Sequence, residues 1–301
     1  MNGAFAGLLV LGLAQAAPVF KTGVEAVYVD VFVTRAETPV LGLGGEDFVV
    51  TDNDVRQRVE VVDRESIPTT ALLALDTSTS VMGERLVKLR TAAGAFLRGM
   101  AARDEAALLT FNEKIALRQA PTTDRSAVAA ALERVRAGGA TAVIDALYVC
   151  LKRRWGPGRP LVVLFTDGED SASWLENDDV LEAARESSAL LYVVGTGAAG
   201  PTLGAPLFWS RRRDLRPEPG HVYLLRRAAE TTGGAYWSAD YDRLEEAFLK
   251  VLEAASARYV LSYEPEGIAR VGRHRLKVSV NRGGLDVRAR QEYVVPGAPE
   301  P

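Results

Sequence analysis

The sequence predicts an α/β fold, a doubly wound and mainly parallel sheet, accompanied by a second, smaller all-β sandwich-like domain built from the N- and C-terminal segments. Two observations carry this expectation. Between residues 67 and 256 short apolar runs alternate with amphipathic helical patterns, the pattern of a parallel sheet covered on both faces. On either side of that stretch the hydrophobic period shortens to two, the period of half-buried strands.

At the N-terminus, Ala4–Ala17 is apolar, uncharged and too short to span a bilayer, and it contains the small-x-small pattern Ala14-Gln15-Ala16. It reads as a signal peptide over residues 1–16, although no Lys or Arg precedes the apolar run, and the expected location is secreted or periplasmic. No later stretch has the length of a transmembrane helix. Residues 17–66 form the first β segment. Val27, Val29, Val31 and Val33 alternate with other residues, which predicts a strand over Val24–Arg35. Asp47–Thr51 and Arg56–Val62 flank Asp52-Asn53-Asp54 and read as a hairpin, because Asn and Asp tolerate the left-handed backbone of a tight turn.

Over residues 67–256 the strand candidates are Ala71–Leu75, Ala106–Phe111, Leu161–Phe165, Leu190–Val194 and Ala235–Ser238. The helical patterns are Glu84–Met100, Ser126–Val135, Ala142–Arg154, Asp178–Ser188 and Leu244–Ala255, the last with Leu244, Phe248, Val251, Leu252 and Ala255 on one face. Residues Thr196–Gly220 interrupt the rhythm with Gly, Pro and an Arg211–Arg216 basic run, and read as a long exposed, solvated loop. The second β segment, 257–295, contains Arg258–Tyr263, the alternating Leu276, Val278 and Val280, and Leu285–Val295 after an Arg282-Gly283-Gly284 turn. A tail, 296–301, follows. Lone flanking strands would leave their backbone groups and apolar faces uncovered, so the two β segments are expected to pair with each other.

Composition removes several function classes. A chain of 301 residues with 48% hydrophobic content can bury a substantial core, and a net charge of −3 gives no general attraction to nucleic acid. The single cysteine, Cys150, excludes a disulfide framework and a cysteine-rich zinc site, and its apolar helical setting predicts an inert buried thiol. No phosphate-binding glycine loop is present. The two histidines, His221 and His274, are expected at the surface, which leaves nucleophilic hydrolysis by Ser and His without a base.

The residues that carry chemistry are oxygen donors. Ala71–Leu75 runs into Asp76-Thr77-Ser78-Thr79-Ser80, which places an acid and two hydroxyls at the carboxyl end of a buried strand, where open α/β sheets bind ligands. Asp167 ends another apolar strand in Phe165-Thr166-Asp167-Gly168, and Gly138-Gly139-Ala140-Thr141 offers a hydroxyl just before the helix that contains Asp145. Carboxylates and hydroxyls without sulfur or imidazole suit a small hard cation, Mg²⁺ or Mn²⁺. Taken singly, each of these residues is also explained as a helix cap or turn residue. A phosphatase of the haloacid dehalogenase type would need a second acid two residues after Asp76, where Ser78 stands.

Together and in this order, the three segments resemble the metal-ion-dependent adhesion site (MIDAS) of von Willebrand factor type A (VWA) and integrin I domains. The resemblance implies a Rossmann-like VWA fold without catalytic residues. It implies that Ser78, Ser80 and Thr141 ligate the metal through hydroxyls, that Asp76 and Asp167 act directly or through water, and that one coordination position stays open for a Glu or Asp of a partner protein. The opening stretch from Gly23 to Thr34, then Gly42-Leu43, Glu46-Asp47-Phe48, Tyr259–Tyr263 and Val287–Arg290 look like the bacterial secreted VWFA-related domain family. Two departures are the long Arg-rich loop after Gly197 and Ala140, which widens a Gly-Gly-Thr spacing. The expected function is metal-dependent protein binding, with no nucleic acid and no membrane span. A metal-independent scaffold and, more remotely, a Mg-dependent hydrolase are the alternatives.

Overall fold

The computed structural model describes residues 26–36, 38–63, 67–153, 156, 158–196 and 220–295. The expected signal peptide, the Arg211–Arg216 run and the 296–301 tail lie outside the described residues. The chain begins with β1 (Val27–Arg35), β2 (Thr38–Pro39), β3 (Phe48–Asp52), β4 (Val55–Gln57) and β5 (Glu60–Val62). An α/β unit follows, with strands β6 (Thr69–Asp76), β7 (Glu105–Phe111), β8 (Ile115–Thr122), β9 (Arg159–Thr166), β10 (Leu190–Gly195) and β11 (Ala235–Ser238). Its helices are α1 (Glu84–Gly99), α2 (Arg125–Glu133), α3 (Val143–Lys152), α4 (Asn177–Glu186), α5 (Gly220–Thr231) and α6 (Leu244–Ser256). The chain then returns to strands, β12 (Tyr259–Tyr263), β13 (Gly272–Val280), β14 (Asp286–Arg288) and β15 (Glu292–Val295).

The six-stranded sheet has the order β11-β10-β9-β6-β7-β8, parallel throughout except for the antiparallel β7–β8 pair. Strand β6 shows why both faces are apolar. Its Ala71, Leu73 and Leu75 pack with Leu89 and Phe96 of α1, Val128 of α2 and Phe248 of α6, while Leu72 and Ala74 pack with Leu147 of α3, Val180 of α4 and Leu225 of α5. Just before β11 the sequence supplies glycine where the backbone passes close to β10, since a Cβ on Gly234 would lie 1.8 Å from the Leu191 carbonyl oxygen. The order reverses beside β6, because the chain leaves it for β7 on one side and later returns to β9 on the other. The carboxyl ends of β6 and β9 therefore open into a crevice.

The strands flanking this unit pair with one another. One sheet has the order β14-β1-β12-β5, with β2 on β1, and a second has β15-β13-β3-β4. Between them lie Val29, Val31, Val33, Phe48, Val50, Leu261 and Leu276. The Asn53 and Asp54 backbones take φ values of 47° and 65° in the β3–β4 turn, as their side chains permit. Two expected strands are each broken in two. Arg56–Val62 divides into β4 and β5, and Leu285–Val295 into β14 and β15, because at both places the chain crosses from one sheet to the other. Arg258 ties the strands to the α/β unit. Its buried guanidinium donates to the Tyr192 hydroxyl at 3.2 Å and to the backbone oxygens of Gly233 at 2.8 Å and Asp30 at 3.2 Å.

The structure corrects the expectation for His274. It is only 1% exposed, stacked on Tyr293 at 4.5 Å, with Nδ1 3.0 Å from a carboxylate oxygen of the fully buried Asp52. Asp52 also accepts from the Tyr263 and Tyr293 hydroxyls, each at 2.7 Å. The His274 position follows the period-two rule of β13, whose inward set includes His274 and Leu276, and one carboxylate satisfies three buried polar groups at once. Burial raises the Tyr263 and Tyr293 phenols well above their ordinary value. Asp52→Ala would leave these three groups unpaired in the sandwich interior, so chemical denaturation should show a stability loss of about 3 kcal/mol or more.

Candidate metal centre

Asp76 is the last residue of β6 and is fully buried. Its Oδ1 accepts the Ser78 backbone N–H at 2.8 Å and its Oδ2 accepts the Thr166 hydroxyl at 2.7 Å. Both oxygens are thus held by the two central strands. Burial pushes the Asp76 carboxyl above the usual range, against the hydrogen bonds from Ser78 and Thr166, and the nearby charge of Asp167 adds to the upward push.

After Asp76 the chain stays extended through Ser78 and then makes a short 3-10 turn, Thr79–Val81. This geometry turns the two serine hydroxyls toward each other, with Ser78 Oγ 2.9 Å from Ser80 Oγ. Ser80 Oγ in turn donates to Asp167 Oδ1 at 2.5 Å. Gly168 completes the cradle. A Cβ there would lie 3.5 Å from Thr141 Oγ1 and 3.8 Å from Ser80 Oγ, so the missing side chain leaves the space between those two hydroxyls open.

Thr141 reaches this point because its loop is fastened on both sides. The Gly138 N–H donates to the Thr77 carbonyl at 2.8 Å, and the Thr79 N–H donates to the Gly139 carbonyl at 2.9 Å. Gly139 has φ 89°, a left-handed backbone that favours glycine, and the Glu113 carboxylate fills the place where a side chain would stand. On the other side the Ser171 and Ala172 N–H groups donate to the Thr141 carbonyl at 2.8 and 3.0 Å. Asp170 accepts from the Ile144 N–H at 3.0 Å, and Asp145 accepts from the Leu175 N–H at 3.0 Å, which pins the loop after β9 to the start of α3. The Ala140 N–H donates to the Glu113 carboxylate at 2.9 Å.

All five expected residues, Asp76, Ser78, Ser80, Thr141 and Asp167, are therefore brought to one edge of the sheet. Four residues that the sequence reading did not single out support them. Thr166 fixes Asp76. Tyr241, in the turn Tyr241–Arg243 before α6, donates its hydroxyl to Asp167 Oδ2, and Arg85 Nη1 lies 3.6 Å from the same oxygen. Glu113 holds the glycine turn. Thr166 stood inside a motif already marked, whereas Arg85, Glu113 and Tyr241 come from separate segments with no local signal. Among the described residues, no group of three or more His, Cys, Asp or Glu side chains converges anywhere, so the donor set at this edge is two carboxylates and three hydroxyls. Cys150 is buried in α3, and burial pushes its thiol up to about 12, consistent with an inert core residue.

Residues 71–169 match the family model described as von Willebrand factor type A domain. No curated protein matches the chain. Among solved structures, proximal thread matrix protein 1 from the mussel byssus, with zinc occupied MIDAS motif, is similar over 67% of this chain and 49% of its own, at 13% identity and a TM-score of 0.50. A von Willebrand factor type A structure from Catenulispora acidiphila covers 89% of this chain and 74% of its own, at 14% identity and a TM-score of 0.49. An aerotolerance-related membrane protein from Bacteroides fragilis NCTC 9343, with multiple mutations to serines, covers 62% and 98%, at 20% identity and a TM-score of 0.47. Residues 71–169 of this chain, which run from β6 to just past β9, are thus similar to a von Willebrand factor type A domain.

Proposed function

We propose that this chain is a non-catalytic protein-binding module in which a divalent cation, Mg²⁺ or Mn²⁺, recruits a Glu or Asp of a partner protein. The observation that carries the reading is the linked set Ser78 Oγ, Ser80 Oγ and Asp167 Oδ1, with Thr141 Oγ1 across the open space at Gly168. A donor set of oxygens alone fits a small hard cation. Ser78, Ser80 and Thr141 would hold it through their hydroxyls. Asp167 would engage it directly or through water, and Asp76, with both oxygens already occupied, would act through water and by fixing the Ser78 backbone. With so little formal negative charge at the ion, an external carboxylate is a favourable further ligand.

Two features argue for binding over catalysis. His274 is sealed inside the β-sandwich, and the Asp145 and Asp170 carboxylates beside the site are occupied by backbone N–H groups. Neither supplies a free general base at the crevice. We further read residues 17–66 and 257–295 as two halves of one β domain around a VWA domain at 67–256. The apolar Ala4–Ala17 segment supports a location outside the cytoplasm, secreted or periplasmic. Among the described residues no helix is long and apolar enough to cross a membrane.

Two outcomes are expected in thermal denaturation. Titration with Mg²⁺ or Mn²⁺ should raise the melting temperature saturably, with about 2.7 kcal/mol of stabilisation at a hundredfold excess over Kd, and Asp76→Ala and Ser78→Ala should abolish the rise. In metal-free buffer at pH 7, Asp76→Asn should melt higher than the wild type. The sign follows from the raised carboxyl. The native state favours the protonated acid, so that contribution is present below the unfolded-state value and lost as pH rises through the native one. The gap between Asp76→Asn and wild type should therefore close as the pH is lowered.

A further inference from the structure

We propose that Arg85 and Tyr241 set the affinity and ion selectivity of the metal centre by holding the outer oxygen of Asp167, an inference that rests on the metal-binding reading above. The two oxygens of this carboxylate, whose side chain is 2% exposed, are divided between different tasks. Oδ1 faces the site and accepts from Ser80 Oγ at 2.5 Å. Oδ2 accepts the Tyr241 hydroxyl and lies 3.6 Å from Arg85 Nη1.

The clamp is a built feature. The Arg85 guanidinium sits over the Tyr241 ring, 5.2 Å from its centroid, and Nη1 also donates to the Ser80 carbonyl at 3.0 Å. The Tyr241 ring packs edge-on against Phe165 of β9 at 6.1 Å between centroids. The two residues come from opposite ends of the α/β unit, one from the first turn of α1 and the other from the turn that leads into α6. They meet at this oxygen and where the guanidinium covers the phenol ring.

Two consequences follow. A fixed guanidinium charge close to the carboxylate opposes a divalent cation bound at its other oxygen, which weakens binding; with Arg85 56% exposed, solvent and salt screen the effect. With Oδ2 occupied, Asp167 offers one oxygen only. Ca²⁺ accepts bidentate carboxylates and higher coordination numbers, whereas Mg²⁺ and Mn²⁺ favour octahedral sites with single-oxygen ligands. The clamp therefore discriminates against Ca²⁺.

Calorimetric titration of the full chain with Mn²⁺ and with Ca²⁺ tests this, using wild type, Arg85→Gln, Tyr241→Phe and the double variant, each checked for a cooperative melt. Arg85→Gln should bind both ions about 3- to 10-fold more tightly at low salt, the gain shrinking as salt is raised. The double variant should narrow the wild-type preference for Mn²⁺ over Ca²⁺. Arg85 is largely exposed, so its variant remains informative even if Tyr241→Phe fails to fold. Unchanged affinity and salt dependence in Arg85→Gln would overturn the inference while the metal site stands. A folded wild type that binds neither ion would overturn the metal-binding reading and this inference with it.

Discussion

The hydrogen bond from Thr166 to Asp76 joins the ends of the two central strands at the place where the order of the sheet reverses. A carboxylate buried at that position is costly unless its oxygens are satisfied. Thr166 from β9 and the Ser78 N–H just beyond β6 satisfy them, and in doing so they fix the direction in which each strand's following loop departs. The loop after β6 carries Ser78 and Ser80, and the loop after β9 carries Asp167 and Gly168. The glycine turn with Thr141 is bonded to both, through Thr77 and Thr79 on one side and Ser171 and Ala172 on the other. One buried carboxylate thereby organises three loops that are far apart in sequence.

The β-sandwich meets a different constraint. Its strands come from both sides of the α/β unit, so their pairing closes the chain around that unit, and Arg258, at the junction of α6 and β12, converts the closure into a fixed attachment by donating to Tyr192, Gly233 and Asp30. The Arg159–Asp30 ion pair and the Arg185–Glu292 pair at 2.8 Å reinforce the same boundary. The carboxyl edge of the sheet, with Asp76, Ser78, Ser80, Thr141 and Asp167, is left free of these contacts.

Much of this was legible in the sequence, for reasons that also explain what was not. The parallel strands were visible because burial on both faces demands uninterrupted apolar runs; Asp76, Ser78, Ser80 and Asp167 stood out because they sit at or just beyond the ends of those runs, and Thr141 because it follows a Gly-Gly turn at the start of a helix. Strand β8 was missed because it lies at the sheet edge, is half exposed and contains Pro121. Helix α5 was missed although Val222, Leu225, Ala228 and Ala229 stand at helical spacing, since it follows a stretch rich in glycine, proline and arginine. The crossings at β4–β5 and β14–β15 leave no mark in a period-two pattern. His274 was misplaced because a polar residue on an inward position is readable only once its partner, Asp52, is known to lie opposite. The same holds for Arg85 and Tyr241, whose roles depend on a meeting across the fold.

The central claim concerns the space between Ser78, Ser80, Thr141 and Asp167, and the most direct test is anomalous diffraction from crystals equilibrated with saturating Mn²⁺. The account predicts one strong anomalous peak within bonding reach of the three hydroxyls, with water or an acidic side chain completing its coordination. Crystals that diffract well at saturating Mn²⁺ and show no peak at this edge of the sheet would contradict it.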